Sequence, residues 1–209
     1  MTVQTAKNLN SHPPLRVLLT RLEIAQSITR LAAELDQDYR DLVASDNPSK
    51  SSNSKPELLV VGVLRGAFMF VADLVRSMNI SLAVDFLRVD TYGAGTVSSK
   101  EPRLVQAPQL PIKGKHIVIV EDIVDTGITT NFVRNYFIEK GAASIKLCTL
   151  LSKPSRRVVE VDIDYLGFTI EDVFVVGYGL DYNQQYRELR AIYSLEGVVD
   201  SGGRVTEEI

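Results

Sequence analysis

The chain is short of the residue types that build disulfides and zinc sites. Its 209 residues include a single cysteine, Cys148, and only two histidines, His12 and His116. One cysteine cannot form an intrachain disulfide, and so few His and Cys ligands disfavour a zinc site. A bound metal ion would therefore be held by oxygen ligands, which suit Mg²⁺. The lack of disulfides is typical of intracellular proteins, so we expect a cytoplasmic location.

Long apolar runs and a strong excess of one charge sign are also missing. The longest apolar stretch, Leu58 to Leu64, is interrupted by Gly62, whereas a membrane-spanning helix needs about 20 apolar residues. The 23 Lys and Arg residues face 26 Asp and Glu residues, which gives a net charge of -3 and excludes a broad basic surface for nucleic acid. We therefore expect neither a membrane nor a nucleic-acid partner.

The order of the predicted elements indicates an α/β fold. A strand over 16–20 is followed by the capping pattern T-x-x-E at Thr20 and Glu23, and apolar residues at helical spacing then predict a long helix. Further strands are predicted over 58–64, 82–91, 116–120 and 144–151, with helices over 67–78 and 129–140. Alternating strands and helices predict a parallel sheet. Three short strand-like segments (163–170, 173–178 and 191–195) are expected to form a small accessory layer or to complete the sheet edge.

The polar segments are predicted to be loops and tails of one domain. The Ser-rich segment 45–56 is expected to be a flexible insertion, because too little chain precedes it to form a core. The segment 92–101 contains glycine and polar residues and is expected to be a mobile loop. Residues 1–15 lack the apolar core of a signal peptide and are expected to be a disordered tail, with a C-terminal tail over 199–209. The domain is thus predicted to span 16–198.

The most informative stretch is I-V-I-V-E-D-I-V-D-T-G-I-T-T, over residues 117–130. An apolar strand ends in the adjacent acids Glu121 and Asp122, and a short loop then leads into a helix. Ligands of parallel sheets bind beyond the carboxyl ends of strands, and the unpaired N–H groups of a helix N-terminus suit a phosphate. Gly127 would allow close approach of an anion, and the acids would hold Mg²⁺ or accept hydrogen bonds from sugar hydroxyls. Hydroxyl donors would come from Thr126 and Thr129.

The motif alone leaves open whether anything is bound. Acids at a strand end followed by D-T-G are also compatible with a capped turn that has no ligand. The stretch matches neither G-x-G-x-x-G nor G-x-x-x-x-G-K-[ST], so a dinucleotide site and a P-loop lose their main support.

The stretch 118–130 resembles the phosphoribosyl-pyrophosphate motif of the type I phosphoribosyltransferases. Segments 61–74, 84–95, 150–157 and 174–187 resemble the bacterial 6-oxopurine branch of that family, and the likeness runs from about residue 16 to 195. The resemblance implies an open, mostly parallel, twisted sheet flanked by helices, with a small hood subdomain. It also implies Mg²⁺, purine salvage, and transfer of ribose 5-phosphate from phosphoribosyl pyrophosphate to N9 of hypoxanthine or guanine. Members of the family are dimers or tetramers.

The resemblance also implies roles around the sugar and its two phosphate groups. Asp125 would be the general base or acid at N7 of the purine, and Glu121 and Asp122 would bind the ribose hydroxyls directly or through metal. Arg65 would follow a cis peptide bond in the pyrophosphate loop, and segment 92–101 would be the lid. The residues expected to bind phosphoribosyl pyrophosphate are Leu64, Arg65, Gly66, Tyr92, Glu121, Asp122, Asp125, Thr126, Gly127, Ile128, Thr129 and Arg187.

A second group of residues is expected at the purine. Lys153 would donate to the exocyclic O6, which favours 6-oxo over 6-amino purines because an amino group is itself a donor. Phe174 would stack on the ring, Val175 would contact the base through its backbone, and Asp181 would hold a second Mg²⁺. The expected metal ligands are thus Glu121, Asp122 and Asp181.

Two other functions share parts of this pattern. The first is a regulator that binds phosphoribosyl pyrophosphate and acts on RNA or DNA, which the net charge of -3 disfavours. The second is a phosphoribosyltransferase for another base, such as uracil or adenine, and a panel of bases with Mg²⁺ and phosphoribosyl pyrophosphate would decide between them. The preference among hypoxanthine, guanine and xanthine stays open at this point.

Overall fold

The computed structural model describes residues 14–44, 57–92 and 101–195. The strands are β1 (Leu15–Leu19), β2 (Leu58–Leu64), β3 (Ala83–Tyr92), β4 (Glu101–Gln106), β5 (His116–Val124), β6 (Ser144–Ser152), β7 (Tyr165–Thr169), β8 (Val175–Val176) and β9 (Ile192–Leu195). The helices are α1 (Arg21–Ala44), α2 (Phe68–Ser77) and α3 (Ile128–Glu139), with a 3₁₀ turn at Pro154–Arg156.

Six strands form the main sheet in the order β4-β3-β2-β5-β6-β7. All neighbouring strands are parallel except β3 and β4. Helices cover both faces: α1 and α2 pack with the larger apolar cluster, and α3 packs with the other. The predicted α/β class and the mostly parallel sheet are therefore confirmed, and the carboxyl ends of β2, β3, β5 and β6 lie at one edge.

The two alternatives for the last three strand-like segments both occur. β7 pairs with β6 and completes the edge of the main sheet, whereas β8 and β9 join β1 in a separate antiparallel sheet of order β1-β9-β8. This second sheet is the small subdomain that was predicted as a hood. Its first strand comes from the other end of the chain.

The start of α1 has the predicted capping box. The Thr20 N–H donates to Glu23 Oε2 at 2.8 Å, and the Glu23 N–H donates to Thr20 Oγ1 at 3.3 Å. The apolar stripe at helical spacing is buried in the larger cluster, as predicted, at Ile24, Ile28, Leu31, Leu35 and Tyr39. Within the described residues, no helix is long and apolar enough to cross a membrane.

Some predicted boundaries differ from the structure. β4 was not predicted; its exposed and half-buried residues give no clear strand signal. Tyr92 and Glu101, at the ends of the predicted lid, belong to β3 and β4, and residues 93–100 lie outside the described part of the chain. The predicted tail is slightly too long, because β1 begins at Leu15. The predicted insertion 45–56 and both remaining tails also lie outside the described residues.

Candidate active site

A cavity of about 320 Å³ opens at the carboxyl ends of the central strands. It collects ten of the predicted site residues: Leu64, Arg65, Gly66, Asp122, Asp125, Lys153, Phe174, Val175, Asp181 and Arg187. A larger cavity of about 690 Å³ lies between α1, α2 and segment 178–190. We place the candidate site in the smaller cavity, because ligands of parallel sheets bind beyond the strand ends.

The loop after β2, which the resemblance predicts to bind pyrophosphate, has the expected backbone geometry. The peptide bond between Leu64 and Arg65 is cis, and the Arg65 side chain is exposed. A Cβ atom added at Gly66 would overlap the Asp122 carboxylate, so the glycine makes room for this acid. The loop and the acidic strand end are thus packed directly against each other.

The two adjacent acids of β5 lie in different surroundings, because neighbouring strand residues point to opposite faces. Asp122 lines the cavity, whereas Glu121 is only 4% exposed and accepts a hydrogen bond from Thr130 Oγ1 of α3 at 3.0 Å. Among the described residues, Glu121 Oε1 has no hydrogen-bond partner. Burial raises the pKa of Glu121 to about 8. The structure therefore does not place Glu121 in the cavity wall with Asp122.

Asp122 faces two charged residues of the segment after β8. Burial raises the pKa of Asp122 to about 6, although hydrogen bonds from the N–H groups of Asp122 and Ile123 oppose that rise. The nearby Arg187 lowers this pKa, and Asp181 raises it. Arg187 Nη2 lies 2.6 Å from Asp181 Oδ1, and Arg187 Nη1 donates to the Gly179 carbonyl at 2.7 Å. The arginine predicted to meet pyrophosphate is thus held in place by the carboxylate predicted to bind metal.

The Asp125 carboxyl is partly buried and lies close to a group of cations. Arg156 Nε lies 3.0 Å from Asp125 Oδ1, and Arg157 Nη1 donates to the Asp125 carbonyl at 2.6 Å. Burial raises the pKa of the Asp125 carboxyl, although Arg156 and Lys153 counteract this effect. A carboxyl whose pKa is moved upward is better suited to exchange a proton near neutral pH.

Lys153 also lines the cavity and is only 6% exposed. Its Nζ is 4.0 Å from Asp172 Oδ1, and Arg156 Nη1 donates to the same oxygen at 3.3 Å. Phe174 packs edge-on against Tyr182, with the ring centroids 5.5 Å apart. A buried cation and an aromatic ring therefore line the same cavity, together with Val175 of β8.

The predicted phosphate loop leads into α3 but does not line this cavity. Gly127 has a left-handed φ of 80°, and a Cβ there would overlap the Val159 carbonyl. The space beside this glycine is therefore filled by the protein's own backbone. The Thr126 carbonyl accepts hydrogen bonds from the N–H groups of Val158 and Val159 at 2.9 and 3.0 Å. The loop 126–129 is thus held by segment 158–159. It lies at the start of α3, where N–H groups lack intrahelical partners.

Four charged residues at the site were not predicted to have a role there. Arg156 and Asp172 link Asp125 to Lys153, and Arg88 and Asp90 of β3 line the cavity beside the pyrophosphate loop. For Arg156, the available signal was its position in the short 3₁₀ turn Pro154–Arg156, directly after the predicted site residue Lys153. Charged residues near the end of β3 were a signal for Arg88 and Asp90.

Comparison with known proteins identifies the family. A family model described as the phosphoribosyl transferase domain matches residues 18–183. The chain belongs to the phosphoribosyltransferase family. This phosphoribosyltransferase is 42% identical to the hypoxanthine phosphoribosyltransferase of Haemophilus influenzae, over 83% of this chain and 90% of the relative. It is also 42% identical to the hypoxanthine-guanine phosphoribosyltransferase of Streptococcus pneumoniae R6, over 89% of this chain and 96% of the relative.

Solved structures agree with this identification. A hypoxanthine phosphoribosyltransferase from Staphylococcus aureus matches with a TM-score of 0.76 and 36% identity, over 89% of this chain and 94% of that chain. A variant of the Trypanosoma cruzi hypoxanthine phosphoribosyltransferase, in a ternary substrates complex, matches with a TM-score of 0.75 and 36% identity, over 88% and 96% of the two chains. The predicted family, fold and enzyme class of this phosphoribosyltransferase are therefore confirmed.

The residues present fit Mg²⁺ bound together with a substrate. No group of three or more His, Cys, Asp or Glu side chains within the described ranges is arranged to hold a metal by itself. Mg²⁺ is commonly bound by one or two carboxylates and completed by substrate phosphates and water. Asp122 and Asp181 supply such carboxylates at the cavity. Glu121, which precedes Asp122, has a buried Oε1 atom without a hydrogen-bond partner among the described residues.

Proposed function

We propose that this phosphoribosyltransferase transfers the 5-phosphoribosyl group from phosphoribosyl pyrophosphate to N9 of hypoxanthine or guanine, in purine salvage. The products are IMP or GMP, and pyrophosphate. The observation that carries the proposal is a single cavity lined both by Asp122 and Asp125, at the end of β5, and by the buried Lys153. The names of the relatives at 42% identity support the same substrates.

The purine would bind at the end formed by Lys153, Phe174 and Val175. Lys153 is buried beside Asp172, and its ammonium group can only donate, so a base that offers it a donor instead of an acceptor would gain no hydrogen bond there and would bind more weakly. The O6 atom of a 6-oxopurine is such an acceptor, whereas the 6-amino group of adenine is a donor. Phe174 would cover one face of the ring.

Asp125 would exchange the proton at N7 of the purine. Its carboxylate lines the cavity, and burial raises its pKa above the ordinary value, which makes it a stronger base for this proton than an exposed aspartate. Arg156, 3.0 Å from Oδ1, would fix the orientation of the carboxylate.

The ribose 5-phosphate would lie toward α3. The backbone N–H groups of 126–129 and the hydroxyls of Thr126 and Thr129 would bind its phosphate. Asp122, and Glu121 after a change of its surroundings, would accept hydrogen bonds from the ribose hydroxyls. Segment 92–101 with Tyr92 would be the lid that excludes water.

The leaving pyrophosphate would lie against the loop at Arg65 and Gly66. Arg65 and Arg187 would offset the negative charge that develops as the bond to C1′ breaks. Asp122, Asp181 and Glu121 are the residues that would hold Mg²⁺, which when bound supplies further positive charge to the pyrophosphate oxygens.

The experiment that tests the substrate is a panel of bases. Hypoxanthine, guanine, xanthine, adenine and uracil are offered with phosphoribosyl pyrophosphate and Mg²⁺, and nucleotide formation is measured by chromatography. We expect turnover of hypoxanthine or guanine, and we expect Lys153→Met to lose this turnover. The control is Lys140→Met, which replaces an exposed lysine at the end of α3 and should keep the turnover. Turnover of only adenine or uracil would reject the proposed substrate.

A second variant tests the proton transfer. Asp125→Asn keeps the shape of the side chain but cannot take the N7 proton, so we expect turnover to fall by about 10²- to 10⁴-fold. Binding of phosphoribosyl pyrophosphate, measured by calorimetry, should be largely unchanged. Lost binding together with normal residual turnover would show that Asp125 has another role.

A further inference from the structure

Two charged residues of the cavity wall have no role in the function proposed above. Arg88 and Asp90 lie on β3 and form a two-pronged ion pair: Nε to Oδ1 at 3.0 Å and Nη2 to Oδ2 at 2.9 Å. Both line the cavity, and their side chains are 36% and 31% exposed. They are therefore open to a ligand that enters the cavity.

The sheet register places Arg88 beside the pyrophosphate loop. In the parallel pairing of β2 and β3, Arg88 is the partner of Leu64, whose peptide bond to Arg65 is cis. On its other side, the pairing of β3 with β4 has an irregularity between Arg88 and Val89. Such a bulge changes the direction of the neighbouring side chains and is common next to active sites. Arg88 is thus directed into the cavity at the end where the leaving group would lie.

Arg88 can exchange its carboxylate partner, Asp90, for a ligand more readily than the other paired arginines of the cavity can exchange theirs. Arg187 is held by a carboxylate and by the Gly179 carbonyl, and Arg156 is held between two carboxylates at the purine end. Arg88 contacts a carboxylate two residues away, in a partly exposed position where water screens the attraction. A planar guanidinium group that donates to two carboxylate oxygens can donate equally well to two phosphate oxygens.

We propose that Arg88 is a further pyrophosphate-binding residue of this enzyme, and that Asp90 is the partner it gives up when pyrophosphate or the pyrophosphate group of the substrate binds. The inference rests on the proposed function, because it assumes that pyrophosphate leaves at the β2 end of the cavity. Asp90 keeps the arginine extended along the cavity wall in the free enzyme and competes with the ligand for it.

The competition predicts opposite effects of two variants on pyrophosphate affinity. Titration calorimetry with magnesium pyrophosphate is carried out on the full-length protein. Arg88→Gln is expected to weaken binding about ten-fold, the factor for loss of one charge-assisted contact. Asp90→Asn is expected to tighten binding several-fold, because the competitor is removed. The control is Arg40→Gln, which makes the same charge change on α1 and should leave the affinity unchanged. Arg40 follows Tyr39, which packs against His116 at the start of β5, whereas the cavity lies at the carboxyl ends of the strands.

The outcomes separate the inference from the function on which it rests. Weakening in both cavity variants, or equal affinity in wild type and Arg88→Gln, would overturn the role of Arg88 while the proposed function stands. No pyrophosphate binding and no base turnover by the wild type would overturn both. Arg88→Lys, which keeps the charge but not the two-pronged geometry, should fall between wild type and Arg88→Gln. It also replaces Arg88→Gln if that variant fails to fold, and unchanged affinity in Arg88→Lys would then count against the inference.

Discussion

The sharpest stability prediction concerns the buried carboxyl of Glu121. The residue is 4% exposed, one of its oxygens has no hydrogen-bond partner among the described residues, and burial raises its pKa from 4.5 to about 8. The folded protein therefore keeps a proton on Glu121 at pH values where the unfolded chain has released it. We expect the variant Glu121→Gln to remove this effect.

The sign and size of the effect follow from proton linkage. Between pH 4.5 and about 8 the unfolded state binds fewer protons than the folded state, so stability falls as the pH rises. The slope is at most about 1.4 kcal/mol per pH unit, and the full shift corresponds to roughly 5 kcal/mol. Since buried sites relax and admit water, we expect about 2–3 kcal/mol of this to be measured between pH 5 and pH 8.

The measurement is urea unfolding of the ligand-free protein, with a chelator present, at pH 5, 6, 7 and 8. Glu121→Gln should gain stability relative to the wild type as the pH rises, and at the same time lose affinity for phosphoribosyl pyrophosphate. Glu139→Gln, which removes an exposed carboxylate at the end of α3, is the control and should show a small difference that is constant with pH. A constant difference for Glu121→Gln would refute the reasoning.

Two further predictions test other parts of the site and fold. Gly66→Ala should raise the KM for phosphoribosyl pyrophosphate at least ten-fold with little change for the purine, because the new Cβ would displace the Asp122 carboxylate; equal changes in both KM values would contradict this. Asp38→Asn should lower stability at pH 7 by up to about 1 kcal/mol, because hydrogen bonds from Lys146 and Tyr165 lower the pKa of the partly exposed Asp38. This contribution is present above the ordinary pKa of 3.8 and is lost as the pH falls through the lower folded value, so a deficit in thermal unfolding that does not shrink between pH 7 and pH 2 would contradict the assignment.

Most of the fold could be predicted because its elements have strong local signals. The capping box and the apolar stripe define α1, and continuous apolar runs define β2, β5 and β6, which are buried on both faces. β4 carries no such signal, because it is an edge strand whose residues are exposed or half-buried. The pairing of β1 with β9 joins Leu15 to Leu195, and no local pattern indicates a contact over that separation.

The site was predictable where one segment supplies the residues and less so where several segments meet. Ten predicted residues line one cavity, but their prediction rested mainly on a resemblance to known motifs. The separation of Glu121 from Asp122 follows from strand alternation and could have been predicted. The link from Asp125 through Arg156 to Asp172 depends on the turn after β6 and on the packing of segment 171–174, which only the folded chain defines.

The charged groups of the cavity are arranged as internal ion pairs, and this affects how its variants should be interpreted. Asp125 pairs with Arg156, Asp181 pairs with Arg187, and Asp90 pairs with Arg88. Removing one member leaves the other without its partner, so a single substitution measures the lost contact together with the cost of the remaining charge. A ligand that binds one member of a pair also competes with the other member, most readily in the partly exposed pair of Arg88 and Asp90. The contribution of each pair to substrate binding therefore requires both single variants and the double variant, with the coupling read from the difference.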